Sequence, residues 1–266
     1  MLYFISTPIG NLKDISYRAV ETLKEVDVIL CEDTRHSLKL LDFYEIKKPL
    51  VSYHKFNEKE RVNEVIDMLK SGKNVAVISD AGTPVISDPG NVLSKILREE
   101  GLDFTVIPGA TAFVPALILS GLDATNFTFI GFLPEKTKDK TALLKPYLNA
   151  KETLIFYSAP HDVNKDLQTL YENFGNRQVS AVKEITKIHE TVYKSTLNDL
   201  KIENPKGEFV IVVEGAKNSE TQFILSEKEH IDLYISRGYS KKDAIKEVAK
   251  ERGINKNALY KYTVED

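Results

Sequence analysis

The chain has 266 residues, 42% of them hydrophobic, a formal charge of -3 and one cysteine. That is enough apolar material for one large core, or two ordinary ones plus an appendage, and it excludes a disordered chain. The charge gives no global attraction to nucleic acid or membrane, and the lone Cys31 excludes an intramolecular disulfide and a CxxC zinc site.

From the N-terminus to about residue 121, the runs LYFIS, DVILC, PLVSYH, NVAVIS and FTVIP alternate with segments of 3.6-residue periodicity. In the third such segment Val62, Val65, Ile66 and Leu69 line one face of a helix ending near Ser71-Gly72. Five β-α units predict a first α/β domain over 1–121 with a mostly parallel sheet covered on both faces. Ligands of such sheets bind beyond the carboxyl ends of the strands. The loops TPIGN, CEDTR, SYHKFNE, SDAGTPVISDPG and PGATA therefore carry the search for a site.

From Asn126 the rhythm changes. FTFIGFL, TLIFYS, QVSAVKEIT, TVYKST and GEFVIVVEG read as strands, with helical stretches only at 138–148 and 162–174. Closely spaced later strands predict antiparallel pairing and a second, mixed α/β domain over 122–216. The short junction at Gly121 to Asn126 predicts two domains in fixed register with a cleft between them. After Gly215 the polar AKNSETQ leads into a helical tail, 217–266, with eight Lys or Arg against three acids between Arg237 and Lys261, a local charge of +5. Ala244, Ile245, Val248 and Ala249 form an apolar stripe, Gly253 breaks the helix, and Ile254 and Leu259 follow. This is a helix-turn-helix-like pattern, or else an amphipathic hairpin with a solvated face.

The common nucleotide signatures GxGxxG and GxxxxGK[ST] are missing, and the five histidines are scattered without metal-ligand spacing, so no metal site is expected. What remains are anion- and ribose-binding devices. Asp80 follows a strand in a glycine loop, where it can accept from ribose hydroxyls or close an Asx-turn, and Gly82 lets backbone approach a ligand. Thr111 after Pro108-Gly109 is a candidate cap whose helix can hold an anion or can be an ordinary capped core helix. Glu32, Asp33 and Arg35 share a sheet rim with His54, Asn57 and Glu58. Two acids, an Arg and a His there can orient a hydroxyl and take its proton, or they can be a structural ion pair and a plain helix cap. With no apolar run near the roughly 20 residues of a membrane span, and an N-terminus MLYFISTPIGN unlike a signal peptide, the expectation is a soluble, cytoplasmic protein.

Taken together, STPIGNLKDISYRAVETLKEVDVILCEDTRHSLKLL, PLVSYHKFNE, VISDAGTPVISDPG, PGATAFVPALILSGL, FIGFLP, LIFYSAPH, VKEITKIHE and GEFVIVVEG resemble the small-subunit ribosomal RNA methyltransferases of the tetrapyrrole methylase superfamily. The resemblance runs from Leu2 to about Gly215 and on into SKKDAIKEVAK. It departs mildly, with FYSAPH where relatives often have FYESPH and GATAF in place of GPSA. It implies two α/β domains of the tetrapyrrole methylase type, a class III S-adenosylmethionine-dependent methyltransferase, with a C-terminal helical extension, a homodimer, and S-adenosylmethionine in the cleft. It further implies methyl transfer to the ribose 2'-hydroxyl of a cytidine in 16S rRNA near the decoding centre, within the small ribosomal subunit. By motif position the cofactor would meet Pro8, Asp80, Gly82, Ile86, Ser87, Thr111, Ala112, Tyr157, Thr186, Gly207 and Glu208. On this reading Glu32 or Asp33 accepts the proton, Arg35 holds a phosphate, and His54 or Asn57 places the ribose. Two rival readings are methylation of a tetrapyrrole (corrinoid) precursor and a ligand-sensing DNA-binding regulator.

Overall fold

The computed structural model describes residues 1–217, 226–236, 238–252 and 254–263, with backbone only at 250, 251, 260, 261 and 263. Residues Met1–Gly215 form one compact unit and Ala216–Asp266 another.

The first unit opens with β1 (Leu2–Ile5), α1 (Tyr17–Glu25), β2 (Val28–Cys31), α2 (Thr34–Phe43) and β3 (Leu50–Ser52). It continues through α3 (Glu58–Lys70), β4 (Val75–Ile78), α4 (Asn91–Glu99), β5 (Phe104–Ile107) and α5 (Phe113–Ser120). The five strands pair in parallel in the order β3-β2-β4-β1-β5. β2 and β4 are fully buried, because successive side chains point to opposite faces and both faces are covered. Val75 and Val77 meet α3 and α4, whereas Ala76 and Ile78 meet α1 and α2. The α3 stripe of Val62, Val65, Ile66 and Leu69 is buried there, each side chain worth roughly 1.5–3 kcal/mol of apolar burial. The helix is closed at Ser71, followed by Gly72 at φ 88.

The fifth helix leaves the sheet its strand belongs to. Its sequence FVPALILS is apolar on every side, so no single sheet face can satisfy it. Ala116 and Leu117 instead pack on Ile155, Val182, Val210 and Val212 of the second sheet, together with Ile9 from the loop after β1. That helix fixes the first sheet against the second.

The second sheet comprises β6 (Phe127–Phe132), β7 (Thr153–Ser158), β8 (Gln178–Lys183), β9 (Thr191–Thr196) and β10 (Phe209–Val213), in the order β6-β7-β10-β8-β9. β6 and β7 are parallel and the rest antiparallel. Its other face is covered by α6 (Thr137–Leu144) and α7 (Val163–Phe174), through Leu144, Val163, Leu167 and Leu170. The run QVSAVKEIT stops pairing at Lys183, because Glu184 and Thr186 adopt positive φ of 52 and 64 and turn the chain away.

The tail has its own small core. α8 (Glu227–Ser236) and α9 (Lys241–Arg252) gather Ile231, Ala244, Ile245, Val248 and Ala249 around Leu259, with Ile254 partly buried. Of the basic residues read in the tail, Arg237 lies outside the described residues, as does Gly253, and the side chains of Lys250 and Lys261 do too. Among the described residues no helix is long and apolar enough to cross a membrane.

Candidate active site

The loop Ser79–Gly90 ends β4 and is held at both ends. At its start Thr7 and Gly82 exchange backbone hydrogen bonds of 2.8 and 3.1 Å, and Gly82 does so at φ 82, a conformation glycine adopts without strain. The Ser6 and Thr83 hydroxyls meet at 2.9 Å, and Thr83 Oγ1 donates to Ala110 O at 3.1 Å. At its end Glu58 Oε1 accepts from Gly90 N at 2.8 Å, Val92 N at 3.1 Å and Tyr53 OH at 3.0 Å. Glu58 is thus a buried strut of the loop and not the plain cap that its place at the start of α3 suggests. Between these anchors Val85 and Ser87 lie at φ 77 and 68, costing of order 1–3 kcal/mol each.

This loop forms one wall of a cavity of about 350 Å³ between the two sheets. Asp80, Gly82, Ile86 and Ser87 line it from the loop, Thr111 and Ala112 from the turn before α5, Tyr157 from the end of β7 and Glu208 from the approach to β10. Eight of the eleven expected cofactor residues therefore share one cavity. Pro8 lines a neighbouring one. Thr186 and Gly207 line neither: the Thr186 hydroxyl bonds to Asp14, and Gly207, at φ 80, sits where any Cβ would run into the Glu184 side chain. Glu184 in turn bonds Glu208 N and Lys187 Nζ, the latter at 2.9 Å, so Gly207 lets Glu208 reach its place.

Thr111 does not cap α5. Ala112 is the N-cap and no side chain caps it. The Ala112 and Phe113 N–H groups face the Tyr157 hydroxyl, whose pKa burial pushes up to about 12 while those N–H groups pull it back.

The rim residues lie behind Asp80. Asp33 N donates to Asp80 Oδ1 at 3.2 Å. Asp33 caps α2 through Arg35 N and pairs with the Arg35 guanidinium at 3.0 Å, and those bonds hold its pKa down to about 2. Asn57 accepts from His54 N at 2.8 Å and donates to Ser52 O, which fixes the turn before α3, while His54 Nδ1 is buried without a partner. Glu32 is half-buried, its pKa raised by burial and then by the Asp80 charge, with His54 opposing. None of Glu32, Asp33, Arg35, His54 and Asn57 lines either cavity.

One group in the cavity was not singled out from the sequence. Asp88 lines it, its pKa pushed up to about 7 by burial and then by the Glu32 and Asp80 charges, against a hydroxyl contribution from Ser79. The repeated Ser-Asp of SDAGTPVISDPG was the available signal. Ser158, at the cavity floor, is likewise tied down, donating to Asp166 Oδ2 at 2.6 Å while Lys140 Nζ donates to Asp166 Oδ1 at 2.6 Å. Among the described residues no three His, Cys, Asp or Glu side chains gather to hold a metal ion.

A parallel sheet and a mixed sheet, bridged by α5 and enclosing a cavity at the strand ends, define a tetrapyrrole methylase fold. The chain belongs to the tetrapyrrole (corrin/porphyrin) methylase family, whose pattern matches residues 1–201, and it is a methyltransferase. It is 42% identical over 270 residues to "Ribosomal RNA small subunit methyltransferase I" of Bacillus subtilis, covering 98% of this chain and 92% of the relative. The protein of the same name from Thermotoga maritima is 40% identical over 218 residues, 80% of this chain and 98% of the relative. Diphthine synthase shares the fold, with a TM-score of 0.65, 18% identity, and 81% of this chain and 90% of that one covered. Membership of the family implies S-adenosylmethionine as methyl donor. The cavity suits that group: carboxylates at Asp80, Asp88 and Glu208 and hydroxyls at Ser87 and Thr111 are set among apolar walls from Ile9, Ile86 and Phe132.

Proposed function

We propose that the protein transfers a methyl group from S-adenosylmethionine to the ribose 2'-hydroxyl of a cytidine in 16S rRNA, near the decoding centre of the small ribosomal subunit, in the cytoplasm. The observation that carries this reading is the gathering of Asp80, Gly82, Ile86, Ser87, Thr111, Ala112, Tyr157 and Glu208 around a single cavity. The likeness to relatives named for small-subunit ribosomal RNA, over nearly the whole chain, supports the choice of acceptor.

When bound, S-adenosylmethionine would supply an electrophilic methyl carbon, its bond to sulfur breaking as the bond to the acceptor oxygen forms, and a carboxylate of the protein would take the hydroxyl proton. The protein's part is alignment, which is worth roughly 7–11 kcal/mol in well-oriented systems. The anchored Ser79–Gly90 loop supplies it. Glu32 is the proton acceptor in this reading, since Asp33 is held at a pKa of about 2 by its bonds to Arg35 and is a poor base. Arg35, on an exposed rim, keeps N–H groups for an RNA phosphate, and Asn57 holds the turn that sets His54 beside Glu32.

A homodimer is part of the proposal. Val106 on β5, Val114 and Ile118 on α5, and Phe127 on β6 are exposed on consecutive elements, two of them edge strands, and apolar residues gathered in this way favour a partner surface. The basic tail adds phosphate contacts. Removing residues 237–266 is expected to weaken RNA engagement more than cofactor binding.

The reading is tested by mass mapping of ribosomal RNA nucleosides from cells with and without this protein. One 2'-O-methylcytidine is expected to vanish from the small-subunit RNA. An unchanged map rejects the reading.

A further inference from the structure

A second cavity, of about 330 Å³, adjoins the first and shares Ile9, Asp80, Ala81 and Glu208 with it. Its outer wall is the beginning of α2, which contributes His36, Ser37 and Lys39. Ser37 is 3% exposed, yet its hydroxyl has no hydrogen-bond partner. The Ser37 hydroxyl lies close enough to the Cys31 thiol to lower its pKa against the burial that raises it, but no bond between them meets hydrogen-bond geometry, and the thiol is directed to Val51 O at 3.9 Å. Thr7, in the same cavity, differs, because its hydroxyl donates to Ser79 O at 3.2 Å. A buried hydroxyl left unmet costs about 1–3 kcal/mol, and a ligand group that meets it recovers that cost.

The charges around the cavity are unequal. Lys187 is committed to Glu184 and Glu208, at 2.9 Å each. His36 and Lys39 are exposed at the mouth and form no ion pair among the described residues. An anion therefore meets the uncommitted Lys39 ammonium at α2, beside the His36 ring, and a polyhydroxyl group in the cavity meets Ser37 and Asp80. A volume near the lower end of the usual range for ligand sites, roughly 300–1,000 Å³, suits a compact ligand. The shared wall would set that ligand directly beside whatever fills the first cavity.

We propose that the second cavity is the acceptor subsite and takes a single ribonucleotide of the RNA, splayed from its neighbours, with its phosphate at Lys39 and His36 and its sugar hydroxyls at Ser37 and Asp80. This rests on the RNA-methylating reading and adds where the acceptor is held. Extrusion of one nucleotide into a pocket is a general solution when chemistry must reach an atom that stacking or packing hides.

Two variants test it. Ser37→Leu fills the chamber, and Lys39→Glu reverses the charge at its mouth without touching the core. Equilibrium binding of small ribosomal subunits, measured without turnover, is expected to weaken about tenfold or more in each, equivalent to about 1.4 kcal/mol. S-adenosylmethionine affinity by calorimetry is expected to stay within about twofold. Wild-type subunit affinity in both variants overturns the subsite, and so does a matching loss of cofactor affinity, which would assign the chamber to the donor. Weakening in Lys39→Glu with a folded Ser37→Leu at wild-type affinity also overturns it, leaving only a charged surface. Should Ser37→Leu fail to fold, Ser37→Val takes its place with the same expectations. A wild-type protein that binds subunits and leaves them unmethylated rejects the proposed reaction while the variants still decide the subsite; one that binds no subunits rejects both.

Discussion

The two walls of the first cavity differ in kind. The wall from the first sheet, Asp80 to Asp88, is a loop with backbone at positive φ, and its Asp88 carboxyl is held above the usual carboxylate range by burial and then by the charges of Glu32, behind the wall, and Asp80. The wall from the second sheet, Tyr157 and Ser158 with Glu208 to Val210, is strand or strand end, and the buried acid behind it is answered by Lys140 and Ser158. The first wall keeps charge unsatisfied, as chemistry requires, and the second keeps it satisfied, as a rigid floor requires.

The largest expected effect breaks the second wall. Lys140→Ala strands the buried Asp166 carboxylate and is expected to cost about 3–5 kcal/mol in denaturant unfolding. A Lys140→Met, Asp166→Leu double variant is expected to recover most of that stability, since a buried pair adds little over well-packed apolar residues. If Lys140→Ala unfolds like wild type, the second wall does not depend on compensated charge.

On the first wall Glu32→Gln is expected to slow single-turnover methylation by about 10²–10⁴-fold with stability little changed. Full activity in both Glu32→Gln and Asp33→Asn would remove the rim from the mechanism. Glu58→Ala takes the shared acceptor from Tyr53, Gly90 and Val92. A loss of at least about 2 kcal/mol is expected, at about 1–3 kcal/mol per buried group left unmet, together with weaker cofactor binding by calorimetry. A loss of stability without any change in affinity would show that the loop keeps its shape unaided.

The last test sharpens the comparison through pH. Because the folded pKa of Asp88, about 7, lies above its ordinary value of 3.8, the folded state binds the extra proton between those limits. The stability this group contributes is fully present below pH 4 and is lost as pH rises through 7. Asp88→Asn is expected to flatten that part of the stability profile and to gain on wild type at pH 8. Superimposable wild-type and variant profiles would mean that the first wall carries no unsatisfied acid at this position.

Much of this was legible in the sequence, for physical reasons. VILC and VAVI announce buried strands because both sheet faces are covered, and the glycines and prolines of SDAGTPVISDPG announce a loop because they cannot extend a ladder. What stayed hidden depends on distant partners. Glu58 looks like an ordinary first-turn acid until its carboxylate is seen to reach Gly90, 32 residues further on. Ser37 looks like a surface serine of a polar helix, and only the assembled sheet buries it. Asp88 and Asp80 occur in equivalent Ser-Asp pairs, and no local rule says that Asp88 will be squeezed by Glu32. Thr111 has the composition of a cap, yet the N–H groups it would serve face Tyr157, which comes 46 residues later.

The bridging helix α5 sets a condition on biosynthesis. It emerges with the first sheet, but the strands that shelter Ala116 and Leu117 lie between Thr153 and Val213 and are made afterwards. While those strands are still being translated, a helix of eight nearly all-apolar residues has no sheet to rest on, and a nascent chain paused near residue 150 offers a chaperone its most hydrophobic helix.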